Sequence, residues 1–366
     1  MKNFFPVTLS FYLIRHYVLN FVIILLGLLG IIYLFDTVEL LRRAANYPDV
    51  SLSLIFQMGL YKLPAVGQMV FSFAVLFSAM LTFWQLTRRH ELVIVRSAGL
   101  SAWQFIIPIM VVAFLIGATK IAVVNPLGAV MVSKYYNLES EYLEHKTSLI
   151  TLSGQGLWLR QDHDGGYAIL HAENIQMPDW VLKDVMVLFF SGDNNFLRRI
   201  DAPTSQLESG QWTFHDAIVN APQALPEKYN LLTLGTDLTI NELENSFKDP
   251  QTISFWKLPA YIKIMEQTGF DSTSLRIFFQ DLLAQPLLFM AMVLLAASVS
   301  LRPPRLRGTS LLIMSGVGIG FVVFFASSFL QALGGSQQIP IIVAAWFPAL
   351  ISFLLGLGAL MVLEDG

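Results

Sequence analysis

The 366 residues are 55% hydrophobic and only 13% charged, with a formal net charge of −3 and no cysteine. A soluble domain carries roughly twice that charged fraction. The balance excludes a cytosolic enzyme, a disordered tail protein and a basic nucleic-acid binder, and the missing cysteines exclude disulfides, thiolate metal sites and cysteine nucleophiles.

A bilayer core about 30 Å thick needs about 20 apolar residues in a helix. In chain order, the stretches that meet this are Tyr17–Phe35, Leu54–Phe83, Trp103–Val124, Leu282–Leu301, Thr309–Leu330 and Ile341–Leu363. The first is longer than a signal peptide's apolar region and reads as a retained span. The second is longer than a minimal span and carries Lys62 and Pro64. Short-loop Lys and Arg are strongly asymmetric. One side has Lys2, Arg15, Arg88, Arg89, Arg96, Arg302, Arg305 and Arg307; the other has Arg42 and Arg43. By the positive-inside rule both termini are cytoplasmic and the segment between the third and fourth spans is exported.

That segment, Asn125–Ser272, holds 10 Lys and Arg against 19 Asp and Glu. Strands are predicted over Gly156–Arg160, Tyr167–His171, Asp184–Phe190, Gln211–Phe214 and Tyr229–Leu234, because short alternating or β-branched runs there are separated by Gly, Pro, Asp and Asn. Their spacing suggests a sandwich or jelly roll. Helical stretches flank them, Met131–Lys146 extending the third span and Phe255–Gln267 leading into the fourth. The predicted fold is a membrane α-helical protein with an inserted all-β domain: residues 1–124 as helices one to three, 125–272 as the β domain with helical connectors, and 273–366 as helices four to six.

Motifs for catalysis are missing. No Gly-Lys dipeptide occurs, so there is no P-loop. Leu152-Ser153-Gly154-Gln155 has the letters of a nucleotide-signature loop without a nucleotide-binding context. The six histidines show no paired helical spacing, and His163 between Asp162 and Asp164 reads as a solvated turn. Glu139, Glu141 and Glu144 read as the wet face of a helix. Gly316, Gly318 and Gly320 lie in the fifth span as small residues that let helices approach closely. No metal site is predicted.

The most informative segment is Thr87-Arg88-Arg89-His90-Glu91-Leu92-Val93-Ile94-Val95-Arg96-Ser97-Ala98-Gly99-Leu100-Ser101. On a helix over about 87–100, Leu92, Val93 and Val95 form an apolar side while Arg88, Glu91 and Arg96 stay polar. Gly99 is a stop signal and Ser101 a cap for the next helix. The pattern suits docking into a partner's groove, and equally a plain interfacial helix.

The run from Arg89 to Gly99, together with Gln155-Gly156-Leu157-Trp158-Leu159-Arg160 and the layout of three spans, β insert and three spans, resembles the LptF/LptG family of lipopolysaccharide export permeases. The Gly-Leu-Trp run is closer to the LptG type. The resemblance implies a permease subunit of an ABC-type complex in the bacterial inner membrane, not itself an enzyme. That complex would extract lipopolysaccharide from the outer leaflet and pass it through the periplasmic jelly-roll domain. The implied partners are a paralogous LptF-type permease, an LptB-type ATPase dimer and an LptC-type bridge protein, with no nucleic acid. ATP and Mg would be bound by the separate ATPase and no cofactor by this chain. The inner loop would be the coupling helix, with Glu91 its central polar contact beside Arg88, Arg89, Leu92 and Arg96.

A cavity for an anionic lipid needs apolar walls and cations near the outer interface. Arg42 and Arg43 follow the first span directly, and a guanidinium fork suits phosphate; two arginines at a helix end also simply snorkel to headgroups. Lys62 is open to the same two readings. Some family members have a lysine in the first span where this chain has Tyr33, so Tyr33 joins Arg42, Arg43 and Lys62 as a candidate lipid contact. Lys120 reads as an interfacial anchor, Asp36 as a partner for one of the arginines, and Asp281 as an acid near the start of the fourth span complementing the helix dipole. The residues alone also fit a permease for a phospholipid or lipoprotein, a membrane transferase, or a non-transporting scaffold.

Overall fold

The computed structural model describes residues 7–45, 47, 50–91, 97, 101–139, 142–143, 149–153, 156–163, 166–176, 181–193, 195–208, 210–222, 224–236, 249–267, 271–301 and 309–365. It forms two compact units. The first comprises Met1–Tyr135, Ile253–Trp256 and Thr273–Gly366; the second comprises Tyr136–Thr252 and Lys257–Ser272.

Six helices in the described chain are long and apolar enough to cross a membrane. They are built on α1 (Val7–Ala44), α2 (Leu52–Arg88), α3 (Ala102–Thr119), α6 (Thr273–Ser300), α7 (Thr309–Gly335) and α8 (Ile341–Asp365). A π-turn, Lys120–Val124, joins α3 to α4 (Asn125–Glu139), so the third span continues well beyond its apolar stretch. The first two helices likewise outrun the apolar windows that announced them. Once the ladder is nucleated, polar residues such as Glu39 and Arg42 prolong it at little cost.

The core of this unit joins α1, α2, α3 and α6, with Tyr17, Phe83, Ile106, Ile109 and Phe289 fully buried. Several helices meet where a proline on one faces a glycine on the other. A Cβ added at Gly117 of α3 would stand 2.7 Å from Pro286 Cα of α6, and one at Gly128 of α4 would stand 2.9 Å from Pro64 Cβ of α2. Small residues permit such backbone approach where hydrophobicity gives no drive between helices in lipid. Pro126 cannot donate to the carbonyl four residues back. That carbonyl, Ala122 O, accepts from Trp256 Nε1 at 3.2 Å, and Phe255 N–H donates to Asn125 Oδ1 at 2.7 Å.

The second unit contains a seven-stranded antiparallel sheet in the order β1 to β7, among the described residues. The strands are β1 (Leu149–Ser153), β2 (Gly156–His163), β3 (Gly166–Gln176), β4 (Val181–Ser191), β5 (Phe196–Glu208), β6 (Gln211–Asn220) and β7 (Glu227–Gly235), followed by helix α5 (Leu258–Gln267). All five expected strands are present. β1 and β5 are additional, and the longest of the seven is β5. Every pairing is between consecutive strands, so the connectivity is a meander.

The sheet is rolled. Gln161 Nε2 of β2 donates to Gly235 O of β7 at 3.3 Å, although five strand steps separate them. Flat spacing would place them about 24 Å apart. The bend has a local source: Asp184 of β4 and Asp216 of β6 have φ near 53° and 52°. Between them Pro203 of β5 is skipped in the ladder with β4, where Lys183 pairs with Thr204 and Val185 with Ala202. Left-handed Asp residues and a proline without an N–H thus interrupt three neighbouring strands at one level, as bulges do at sheet corners. Leu159, Leu170, Val187, Trp212 and Phe214 fill the covered face.

Substituting Gly117→Ala should lower the thermal unfolding midpoint of the purified chain in detergent. The expected cost is about 1–3 kcal/mol, because a backbone atom rather than a mobile side chain obstructs the methyl. Gly318→Ala, with nothing within 4 Å of the added carbon, serves as the neutral control. Equal melting of the two variants would contradict the close α3–α6 contact.

Candidate functional site

Three groups of polar residues interrupt the apolar helices of the first unit. The first lies at the end of α2 that leads into the Arg89–Ser101 loop. Arg88 belongs to α2 and lies over the Trp84 ring at 5.1 Å. Arg89 N–H closes the last turn onto Gln85 O at 3.1 Å, and His90 turns the chain with φ 59°. A residue in this conformation just past a helix is a usual stop. The expected continuous helix over 87–100 is therefore broken at His90, and Arg88 and Arg89 sit on the far side of the break from Glu91. Leu92 and Arg96 lie outside the described residues, as does Gly99. Glu91 is described. Tyr12 of α1 donates its hydroxyl to both carboxylate oxygens, at 3.1 and 3.3 Å, and Arg89 Nη1 stands 3.9 Å away. Deeper along the same pair of helices, Asn20 Nδ2 donates to Thr82 Oγ1 at 2.9 Å and Gln85 Oε1 at 3.2 Å.

The second group lies at the opposite end of α1 and α2. Arg42 forms a fork on Glu39, with N–O distances of 2.9 and 2.7 Å, and its side chain is largely exposed. Arg43 is partly covered and has interactions of its own. Lys62 Nζ stands 3.0 Å from Asp36 Oδ1, both side chains being mostly covered, and lies 5.9 Å from the Tyr135 ring centre. Asp36 thus pairs with Lys62 rather than with an arginine: Arg42 is taken up by Glu39, while Lys62 reaches Asp36 across the α1–α2 contact. Its second oxygen, Oδ2, is buried without a hydrogen-bond partner among the described residues. Tyr33 is partly covered and tied to α2. Its hydroxyl donates to Phe56 O at 3.2 Å and its ring lies against Gly59, where an added Cβ would meet it at 3.1 Å.

The third group is one the sequence did not single out as a site. Lys120 is 3% exposed, so it is no interfacial anchor. Its Nζ donates to Gln68 O at 3.0 Å and lies over the rings of Phe71 and Phe289 at 5.1 and 5.7 Å. Asp281, expected at the start of a helix, sits a full two turns inside α6, partly buried, where it accepts from Gln285 Nε2 at 3.2 Å and Gln331 Nε2 at 2.8 Å. A signal was available: a lysine and an aspartate lie within or at the ends of apolar spans, and intramembrane charge is rarely left without polar partners. Glu139 is also largely buried, not on a wet face.

The glycine set divides by face. A Cβ at Gly316 would stand 2.5 Å from Met80 Sδ, and one at Gly320 2.6 Å from Phe73 Cε1, so both sit in the α7–α2 seam; Gly318 points away from any neighbour. The seam is apolar and closes on movable side-chain ends. Among the described residues no three His, Asp or Glu side chains stand together as a metal would require.

A family model described as "Lipopolysaccharide export system permease LptF/LptG" matches residues 11–362. The chain belongs to the LptF/LptG family. Among its relatives, the lipopolysaccharide export system permease protein LptG of Escherichia coli K12 is 25% identical over 315 residues, covering 83% of this chain and 85% of that protein. The LptG protein of Haemophilus influenzae strain KW20 Rd is 24% identical over 341 residues, covering 89% and 90%. The resemblance carried by the Arg89–Gly99 and Gln155–Arg160 runs is thus met across nearly the whole chain. Family membership places this multi-pass protein among export permeases rather than enzymes.

The Lys62–Asp36 pair can be measured by a double-mutant cycle of Lys62→Met and Asp36→Asn. Lys62→Met alone should destabilise the chain by about 1–3 kcal/mol, less than a fully buried pair because solvent still reaches both groups. The double variant should recover part of that loss. Strict additivity would mean that the pair contributes nothing.

Proposed function

We propose that this chain is a transmembrane permease subunit of an ABC-type complex of the bacterial inner membrane that extracts lipopolysaccharide and delivers it through its periplasmic β domain to a bridge protein. The observation that carries the reading is the family match over residues 11–362. The asymmetry of Lys and Arg in the short loops supports cytoplasmic termini and a periplasmic insert. The ATPase, a dimer of the LptB type, is a separate subunit that binds ATP and Mg; this chain binds no cofactor. A paralogous LptF-type permease completes the membrane part, and an LptC-type protein receives the lipid.

Physical chemistry limits how such a lipid can leave. Each CH₂ exposed to water costs roughly 0.8 kcal/mol, so several bare acyl chains would cost on the order of tens of kcal/mol. The chains must stay covered from bilayer to cavity and from cavity to receiver. Helices α1 and α7 suit a lipid-facing opening, since only 11% and 17% of their most apolar stretches are buried within the chain. The cavity's cations then meet the phosphates. Arg42 is the better contact, because its exposed local pair with Glu39 is weak and exchangeable. Lys62, committed to Asp36 in a covered site, supports the helix pair instead.

At the other end, the Glu91 segment seats in the ATPase groove, and closure of the ATPase is transmitted through it. Tyr12 extends this path, since its bond to Glu91 carries any displacement of the segment into α1.

Two experiments test this reading. Glu91→Ala should weaken co-purification of the ATPase or separate ATP hydrolysis from lipid release by about tenfold, the effect of removing one charged hydrogen bond. Tyr12→Phe should leave ATPase association intact. Normal association and normal lipid release in Glu91→Ala would remove the coupling role.

Removing both Arg42 and Arg43 should reduce photocrosslinking of lipopolysaccharide inside the cavity several-fold while the complex still assembles. Unchanged crosslinking would leave these arginines as headgroup anchors only.

A further inference from the structure

We infer that the segment Ile253–Trp256 is a strap that locks the π-turn Lys120–Val124, and through it the rotational phase of α4, so that the chain returning from the β insert decides which face of the third span meets lipid and which meets α2. Burial along α3 and α4 records the phase. In α3 the exposed apolar side runs through Ile107, Val111 and Phe114. An unbroken α-helix turns about 100° per residue, which would leave Asn125 about 40° from Val111 and carry Leu127 about 160° away. The chain does the opposite: Asn125 is 6% exposed and Leu127 62%, with Val130 also exposed and Val132 buried. One extra residue in the turn accounts for this, since it withdraws about 100° from everything beyond it and brings Val130 back into line with Val111. Gly117 and Gly128 agree. On an unbroken helix they would lie about 20° apart and face one neighbour; instead Gly117 meets Pro286 of α6 and Gly128 meets Pro64 of α2.

A π-turn is rare and gives up the regular ladder, so a long helix retains one where its surroundings hold it. At the end of this turn, Asn125 N–H reaches back five residues to Lys120 O. The Asn125 side chain is turned inward, where its Oδ1 accepts from Phe255 N–H at 2.7 Å. Relaxation to the α ladder would move the Asn125 backbone bond to Ile121 O and swing its amide toward the lipid face. Phe255 N–H would then lose its acceptor, and hydrocarbon supplies no replacement. Trp256 fastens the other side of the strap through Nε1 to Ala122 O at 3.2 Å. The Phe255 ring fixes the strap's position, stacked on Phe279 of α6 at 5.4 Å and edge-on to Trp256 at 5.2 Å.

The strap is short, and Thr252 and Lys257, which bound it in sequence, belong to the second unit. A pull along the insert's own chain therefore reaches Phe255 and Trp256 directly. What the strap transmits is rotation. Releasing the turn by one register replaces Leu127 and Val130 with Asn125 and Val132 on the outward face and takes Gly128 away from Pro64 of α2. α4 thus has two discrete phases, one clasped and one released, about 100° apart. The clasped phase puts the Asn125 amide inside and an apolar stripe outside, which is the arrangement a bilayer favours. The bearing of this lock on transport rests on the lipid-permease reading above.

The absence of native cysteine makes the test direct. Spin labels on Val111→Cys and Val130→Cys, both exposed, would report the phase in the full chain with its co-purifying subunits in lipid nanodiscs. With the strap intact both labels share a face, and the expected distance distribution has one main peak at about 28 Å. Asn125→Leu should populate a second peak several ångströms longer, raising its fraction about fivefold, the effect of losing one hydrogen bond. Trp256→Phe, which keeps a ring and removes the N–H, should do the same if the leucine variant does not fold. Deleting Val124 removes the extra residue, so that chain should keep a single peak whether or not Asn125 is replaced. No second peak in a folded strap variant, or a second peak that survives the deletion, would overturn the lock. If the peaks behave as expected but the native complex releases no lipopolysaccharide on adding ATP, the lock stands and the transport reading falls.

Discussion

Hydrocarbon offers no hydrogen bonds, so each polar atom carried into the membrane must find its partner within the protein. This constraint explains features of the first unit that hydrophobic packing leaves arbitrary. Pro126 deprives Ala122 of a donor, and Trp256, distant in sequence, supplies one. Lys120 enters an apolar interior and is met by a backbone carbonyl and two aromatic faces. Lys62 and Asp36 meet across the α1–α2 contact. In each case the polar group decides which helices must be neighbours, whereas apolar side chains would tolerate several arrangements in a solvent as greasy as themselves.

The same constraint separates fixed surfaces from movable ones. Where a bond involves a charge, displacement leaves a bare ion; where glycines lie under Met and Phe ends, displacement merely exchanges protein contacts for lipid contacts. The proline-facing glycines Gly117 and Gly128 belong to the fixed class, because backbone or ring atoms lie opposite them. Gly316 and Gly320 belong to the movable class despite equally short approaches. A small-residue motif therefore does not by itself say whether a seam opens. The nature of the atom facing the glycine does.

Apolar length made the six spans legible, and alternation with turn residues made five strands legible. What escaped was whatever departed locally from those periods. β5 carries Arg198, Arg199, Asp201 and Pro203, a composition that reads as loop; its pairing with β4 and β6 supplies the ladder that the residues do not announce. Arg199 and Asp201 stabilise the exposed face themselves, the guanidinium holding the carboxylate at 2.6–2.8 Å, which raises the pKa of Arg199 further. The roll of the sheet rests on Asp184, Pro203 and Asp216, individually ordinary turn formers whose significance is that pairing brings them to one level. At the candidate site, the sequence singled out Glu91 and the arginines by type and position. It could not identify Tyr12 as Glu91's donor, because that contact joins residues 79 apart. Nor could it distinguish Lys62, which is committed to an acid, from Arg42, whose acid is a surface neighbour.

Orientation of the polar ties also bears on how force could cross such a permease. A helix bonded at both ends to one neighbour moves with that neighbour, as α1 must with α2 through Asn20–Thr82 at one end and Asp36–Lys62 at the other. Displacement at Glu91 would then shift the α1–α2 pair as a body, since bending a continuous helix breaks hydrogen bonds that lipid cannot replace. Gly316 and Gly320 lie against the Met80 and Phe73 side chains of α2, so at these two glycines the α7–α2 seam can exchange apolar contacts with lipid as the α1–α2 pair shifts.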